Sequence, residues 1–516
     1  MSNLVSTQTT TVITYPYSGD YRIDVLLPSD TARWNNGNPV GSSVTVSYSF
    51  MIAVPSYAKE SDRTDFSVFT PEQKTAIRQI LTLISEQIGI SFQEVADRGS
   101  SYGIMRFGNN AQGQTSAGYA TYPNTNDRNL AGDVFINNRL AENLSNIVPG
   151  TGGWATLVHE IGHALGLKHP GNYNADEAPS TQADNYLAAA EDTKAVSIMS
   201  YIDTPQYQTR EFFGVNDLLA LKYLYGGLPY NESDTTYTFN DMARHALTMI
   251  NDTGGVDTID VSAATVGASI DLTPGVASSI GELADGTISL NNLSLAYDAV
   301  IENVIGTAFN DFIKGNSADN TFTSGTGHDT IDGAGGTDTA VFTRALSNYT
   351  RGKGFGFVVQ ANGNANDTSI LTNVERLRFS DAQLAIDMEA TQSGGEAALL
   401  IGAVLGKTSL ADKGMVGLLL PYFDSGAKIL DVANLLVSSG IMNQLAGGSS
   451  TSAYVALIYH AVTGQSATDQ VIAGLAPYID SGSYTKAGFL VAVAELPLNQ
   501  ANVDLVGLQQ TGIEYF

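Results

Sequence analysis

Residues 159 to 170 read HEIGHALGLKHP, a run that sets three imidazoles and one carboxylate at intervals suited to holding a metal ion beside a proton acceptor. His159 and His163 are four apart, so on a helix they share one face and can grip a single ion, with Glu160 next to the first. Gly166 permits a sharp turn in a conformation costly for any residue with a Cβ, after which His169 can swing in as a third ligand. A fourth position stays open for water, the arrangement of hydrolytic zinc. An ion so held acidifies water and polarises a carbonyl, and Glu160 is placed to take the proton of the attacking water and pass it to a leaving amine. A bare H-E-x-x-H arises by composition in roughly one chain in a hundred of this length, and the longer form is rarer by a further factor of roughly several hundred. With only six histidines in the chain, three of them here, incidental histidines on a buried helix are a poor account of the run.

The elements that must position this site read as mixed α/β. Val44 to Ile52 alternates as a strand, and Thr70 with Pro71 and Glu72 caps a helix whose apolar positions Ile77, Ile80, Leu81 and Ile84 recur at helical spacing. Gly103 to Phe107, Ala117 to Tyr122 and Asp133 to Ile136 are expected as short strands leading to the metal-binding helix. Val215 to Tyr225 reads as a helix stopped by Gly226 and Gly227. Trp154 reads as helix packing, Lys168 as a solvated side chain, and His245, His328 and His460 as surface or satisfied histidines.

Composition narrows the setting. With no cysteine, neither a disulfide framework nor a cysteine-based latency switch is possible. The N-terminal residues have no basic region followed by an apolar one, and no apolar run of membrane-spanning length is found. A formal net charge of -27 disfavours nucleic acid and anionic lipid and favours cations.

A period of nine begins further on. Segments starting at 306, 315, 324 and 333 keep Asp311, Asn320, Asp329 and Asp338 in register, with an apolar slot two residues later at Ile313, Phe322, Ile331 and Ala340. This matches the RTX nonapeptide, a parallel β-roll whose turns bind calcium and whose short strands bury the apolar slot. Each coil takes two repeats, so Asp311 pairs with Asp329 and Asn320 with Asp338. The pattern is degenerate, with Asn320 in place of one Asp and several glycines absent, so fewer or weaker calcium sites than in a full array are expected. Residues 251 to 340 contain thirteen Asp plus Glu against one basic residue, Lys314, so folding here should be coupled to divalent ions.

H-E-x-x-H-x-x-G-x-x-H is the metzincin pattern, and SIMSY at 197 to 201 resembles its Met-turn. Pro170 after the third His, the following GNYNADE, and AEDTKAVSIMSY narrow the resemblance to the serralysins, secreted bacterial zinc metalloproteases with a calcium-binding repeat domain. The resemblance covers roughly residues 30 to 345 and implies the following. Met199 is an apolar floor beneath the zinc ligands. Tyr201 is a further zinc ligand at rest that swings away to donate a hydrogen bond to the tetrahedral intermediate. An extended substrate pairs with an edge strand at Ala117, Gly118, Tyr119 and Ala120. A further calcium site joins Asn231, Ser233 and Thr235 to Asp252, Gly254, Gly255 and Asp257, and Glu302 is another calcium ligand. Export is by type I secretion, which reads a C-terminal signal resembled here by Glu514, Tyr515 and Phe516. The partners implied are extracellular protein substrates, the secretion machinery, and a proteinaceous inhibitor or a cell surface layer.

The expected architecture is multidomain. An α/β metzincin (zincin) catalytic domain spans 1–228, a parallel β-roll (RTX) 229–345, a strand-rich closing segment 346–390, and a mainly α domain 391–516 that includes the secretion signal. The last is a duplication: PYFDSG at 421 to 426 returns as PYIDSG at 477 to 482, and ALLIGAVLG at 398 to 406 is echoed by ALIYHAVTG at 456 to 464. It resembles a helical domain appended to other repeat-containing secreted proteins. The expected activity is zinc-dependent endopeptidase with one catalytic Zn2+ and several structural Ca2+. The alternative is a calcium-dependent surface or adhesion protein in which the metzincin fold is a non-catalytic scaffold.

Overall fold

The computed structural model describes residues 18–28, 32–98, 101–123, 129–172, 186–239 and 246–516; His245, most of GNYNADE and residues 1–17 lie outside the described residues. The chain divides into two compact units, residues 1–257 with 270–301, and residues 258–269 with 302–516.

The first unit is built on a five-stranded sheet. Its strands are β1 (Val44–Phe50), β2 (Ile90–Glu94), β3 (Met105–Asn110), β4 (Gly118–Ala120) and β5 (Asp133–Asn137), in the order β2-β1-β3-β5-β4. All pairings are parallel except the last, in which β4 lies antiparallel to β5 and forms one edge of the sheet. Helix α1 (Pro71–Gln87) starts at a capping box: the Thr70 hydroxyl accepts from the Gln73 amide at 3.1 Å and the Gln73 side chain from the Thr70 amide at 2.8 Å. Its stripe of Ile77, Ile80, Leu81 and Ile84 is buried. Tyr48, Phe50, Phe69 and Phe107 form an aromatic cluster with centroids 5.8 to 6.2 Å apart.

Three strands differ by two or more residues at an end from the sequence reading, the first ending at Phe50 rather than Ile52. The one expected from Gly103 starts at Met105, because the Gly103 and Ile104 amides are taken by the Ser49 and Ser47 hydroxyls rather than by ladder carbonyls. The one expected over 117–122 is three residues long. Helix α2 (Gly152–Ala164) carries the first two histidines, and α3 (Val215–Tyr225) ends at Gly226, whose φ is +87°.

In the second unit the nine-residue period becomes a roll of short parallel strands: β6 (Thr258–Asp260), β7 (Asn303–Ile305), β8 (Phe312–Lys314), β9 (Thr321–Thr323), β10 (His328–Asp332) and β11 (Thr339–Val341). β6, β7, β9 and β11 stack in one sheet, while β8 pairs with β10 in the other. Residues eighteen apart therefore face each other, Ile313 with Ile331 and Phe322 with Ala340, and all four are at most 1% exposed. Strands over 349–385 close the roll, the segment Arg376–Arg378 adding to β11 and Thr368–Thr372 to β10.

Helices fill most of the remainder of this unit. Ser393–Leu405, Lys413–Asp424 and Ile429–Ser438 have counterparts in Thr451–Thr463, Asp469–Asp480 and Lys486–Ala494. Pro421 and Pro477 sit at matching points, and Gly426 and Gly482 follow each helix with positive φ. Leu399, Leu400, Val416, Tyr454, Val455 and Leu490 lie in the shared core. Ile513–Tyr515 is a strand antiparallel to Gln383–Ala385, with Glu514 ion-paired to Lys413. No helix among the described residues is long and apolar enough to cross a membrane.

Because Phe322 fills the roll interior with no exposed surface, Phe322→Ala is expected to cost about 3–5 kcal/mol in urea unfolding. A loss below about 1 kcal/mol would show that the coils do not share a packed interior.

Candidate metal centre and active site

Helix α2 ends in a turn that aims the third histidine. The Leu167 amide donates to the Gly162 carbonyl at 3.0 Å and the Gly166 amide to the His163 carbonyl at 2.9 Å, the paired bonds of a Schellman motif. Gly166 has φ +104°, and a Cβ there would lie 2.3 Å from the Ala32 carbonyl oxygen, so glycine is required by conformation and by space.

The turn also orients a ligand. His163 Nδ1 lies 2.7 Å from the Leu167 carbonyl, and His159 Nδ1 lies 2.8 Å from the Ile198 carbonyl. A carbonyl only accepts, so each Nδ1 carries the proton and each Nε2 of the neutral ring presents a bare lone pair. Desolvation keeps both rings neutral, lowering His159 to about 3, with His169 adding to the effect, and His163 well below the ordinary value. His169 Nε2 lies 3.1 Å from His159 Nε2 and 3.0 Å from His163 Nε2. Among the described residues this is the one group of three or more metal-ligating side chains whose ligand atoms all fall within 4.8 Å of each other. Lone pairs converging in a desolvated pocket fit a cation, and an all-imidazole donor set fits zinc.

Glu160 lies beside them, 5% exposed, with Oε2 buried and without a hydrogen-bond partner among the described residues. Burial pushes its carboxyl up to about 8. The Tyr201 ring centroid is 4.3 Å from that of His169 and 6.0 Å from that of His159, and the side chain is about half exposed. Met199 is fully buried beneath α2, its sulfur 2.6 Å from where a Cβ on Gly162 would sit.

The sequence reading did not single out Asp217. From α3 this buried carboxylate accepts from Ser197 Oγ at 2.5 Å and from the Ile198 and Gly214 amides at 2.7 Å each. It thereby holds the residue whose carbonyl accepts from His159, a chain running Asp217, Ile198, His159. Lys168, expected as solvated, is instead 3% exposed: its ammonium donates to the His169 carbonyl at 3.3 Å and lies 4.5 Å from the Tyr186 ring centroid. Trp154 is buried, its indole donating to the Glu211 carbonyl at 2.6 Å.

On β4 the expected substrate residues divide by parity. The Asn137 amide donates to the Ala117 carbonyl and the Thr121 amide to the Asp133 carbonyl, so by alternation Tyr119 pairs with Phe135 toward β5. Gly118 and Ala120 consequently turn their backbone groups to the open edge. The Tyr119 hydroxyl donates to Asp62 at 2.7 Å.

The expected calcium residues also come together. In the first unit the loop of Asn231, Ser233 and Thr235 lies against that of Asp252, Gly254, Gly255 and Asp257. There the Thr235 amide donates to Asp257 Oδ1 at 2.8 Å, and a Cβ on Gly255 would meet Ser233 at 2.7 Å. In the second unit the Asp311 amide donates to Asp329 at 3.1 Å and the Asn320 amide to Asp338 at 2.7 Å. Glu302 precedes Asn320 in this column, its carbonyl accepting from the Thr321 amide. Glu375 extends the column, accepting from the Asp338 amide at 2.9 Å, although the nine-residue period gives no hint of it. Asp338 Oδ2 is buried and without a hydrogen-bond partner among the described residues. Burial pushes Asp338 up to about 8 and Asp329 to about 6, with neighbouring carboxylates adding to the rise. Such groups suit a divalent cation.

Residues 42–212 match a family model described as metallo-peptidase family M12, and residues 224–408 one described as peptidase M10 serralysin C terminal. The chain is 32% identical over 325 residues to a serralysin of Proteus mirabilis, covering 57% of this chain and 63% of that protein. It is 32% identical over 330 residues to metalloprotease AprA of Pseudomonas entomophila (strain L48), covering 59% and 65%. With serralysin B of Dickeya chrysanthemi the figures are 30% over 320 residues, 58% and 64%. The chain thus spans less than two thirds of the length of these curated relatives. Across residues 42–408, these matches show the chain to be similar to the serralysin metalloproteases.

Proposed function

We propose that the protein is a secreted, calcium-stabilised zinc endopeptidase acting on extracellular or cell-surface proteins. The observation that carries this reading is the convergence of three imidazole Nε2 atoms beside a buried carboxylate oxygen of Glu160 that has no hydrogen-bond partner among the described residues. Zinc held by His159, His163 and His169 supplies a Lewis acid that acidifies water and polarises a peptide carbonyl.

The chain's own groups do the rest. Gly118 and Ala120 offer backbone donors and acceptors along the open edge of β4, so an extended peptide binds by strand pairing. Glu160 takes the proton of the attacking water and returns it to the leaving amine nitrogen. Tyr201, beside His169, donates its phenol proton in a hydrogen bond to the oxygen on which negative charge develops. Asp217 keeps the Ile198 carbonyl under His159 while charge shifts at the centre. The carboxylate columns of the roll, Asp311 with Asp329 and Asn320 with Asp338, extended by Glu302 and Glu375, and the loops at 231–235 and 252–257 take calcium. Calcium is scarce in cytosol, so the acidic region folds after type I export, and Glu514, Tyr515 and Phe516 serve the export signal.

Casein hydrolysis by the purified chain is expected to vanish with a zinc chelator and in Glu160→Ala, the variant retaining one zinc per chain. A wild-type protein with full zinc that cleaves no peptide would favour the scaffold alternative. Asp217→Ala is expected to weaken zinc about 10–100-fold in chelator competition, and an unchanged affinity would remove Asp217 from the ligand-orienting chain.

Asp329 and Asp338 have folded values of about 6 and about 8 against an ordinary 3.8, so each takes up protons on folding between those limits. Stability of the calcium-free roll is therefore expected to fall as pH rises from about 4 through about 8 and to be restored by calcium, read from urea midpoints in chelator. A midpoint that climbs with pH in chelator would contradict this.

A further inference from the structure

Gly118 sits on the edge strand directly over the Glu160 side chain. A Cβ at this position would lie 2.9 Å from Glu160 Cγ, 3.0 Å from Oε1 and 3.1 Å from Cδ, well inside the carbon–carbon optimum of about 3.5–4.0 Å. Its φ lies outside the left-handed region, unlike that of Gly166, so the backbone conformation does not call for glycine here. Space does. The surroundings leave little freedom for the strand to retreat. The Ala117 carbonyl is held by the Asn137 amide at 3.0 Å and by Asn143 Nδ2 at 2.9 Å. The Tyr119 hydroxyl is held between Asp62 and Asn110 at 2.7 Å each, with its ring 5.5 Å from that of Phe135. On the other side Glu160 sits in a helix whose neighbours Leu157, Val158 and Ile161 are fully buried. An added methyl would therefore displace the carboxylate, the one soft element in the contact.

The same residue turns its amide and carbonyl to the open edge, the carbonyl also accepting from Ser116 Oγ at 3.2 Å. We infer that Gly118 is a positioning residue: its missing side chain lets the edge strand close onto the Glu160 carboxylate, so that a substrate paired with that strand is held at a fixed distance from the base. The inference rests on the endopeptidase reading. Side chains on a strand project out of the plane of the sheet whereas a pairing peptide lies within it, so enlarging residue 118 displaces the base without blocking the pairing edge.

The test is Gly118→Ala in the full chain, in wild-type and Glu160→Asp backgrounds, with zinc content, kcat, KM and a crystal structure of the zinc-loaded variant. At unchanged zinc content and melting temperature, kcat is expected to fall about tenfold or more while KM stays within about twofold, since a displacement of about 1 Å can cost about a hundredfold. The crystal structure should show the carboxylate moved from its wild-type place. In the Glu160→Asp background the shorter side chain withdraws from the added methyl, and the same substitution should change kcat by less than about twofold. An unchanged kcat, an equal loss in both backgrounds, or loss of zinc would overturn the role of Gly118 while the endopeptidase reading stands. A zinc-loaded wild-type chain that cleaves nothing overturns that reading instead.

Discussion

Everything at the centre depends on which nitrogen of each imidazole carries the proton. Backbone carbonyls of Ile198 and Leu167 take the Nδ1 protons of His159 and His163, leaving Nε2 lone pairs aimed at a point shared with His169. His159 and His163, with their Nδ1 protons committed, offer each other only bare Nε2 lone pairs, and one proton on His169 Nε2 can bond to only one of them at full strength. A cation resolves the conflict, and the surrounding structure is arranged to keep the conflict in place until one binds. The Schellman turn at Gly166 supplies one carbonyl, and the Asp217 clamp on the Met-turn supplies the other.

That arrangement explains the unequal importance of the elements around it. The five-stranded sheet provides an edge at β4 and a backing for α2, while α3 supplies a carboxylate that acts two contacts away from the metal position. In the second unit the same logic recurs at lower cost: carboxylates are buried in columns, protonated or ill at ease without a divalent cation, and held in register by the buried Ile313, Phe322, Ile331 and Ala340. Both units thus keep acidic or lone-pair groups in low-dielectric surroundings that favour a bound metal.

The legible parts of this design are those written in short-range spacing. His159, Glu160, His163, Gly166 and His169 lie within a few residues, so helix geometry and one turn suffice to place them. The roll follows from a strict period, and the Thr70 cap and the Gly226 stop follow from local chemistry. Contacts set by tertiary approach were not legible. Asp217 is an ordinary acid in a helix until the Met-turn folds onto it, and Glu375 lies 37 residues past Asp338 because a hairpin intervenes before the chain rejoins the roll. Lys168 shows the opposite error: charge suggested solvent, but the ammonium turns inward to the His169 carbonyl and the Tyr186 ring. Gly118 was placed by resemblance on the edge strand, whereas its approach to Glu160 is visible only in three dimensions.

The most direct measurement is diffraction from crystals grown with stoichiometric zinc, with data collected on both sides of the zinc absorption edge. An anomalous peak about 2.0–2.1 Å from Nε2 of His159, His163 and His169, with Nδ1 of the first two still on the Ile198 and Leu167 carbonyls, is the predicted result. A peak elsewhere, or rings that have flipped to offer Nδ1, would contradict it.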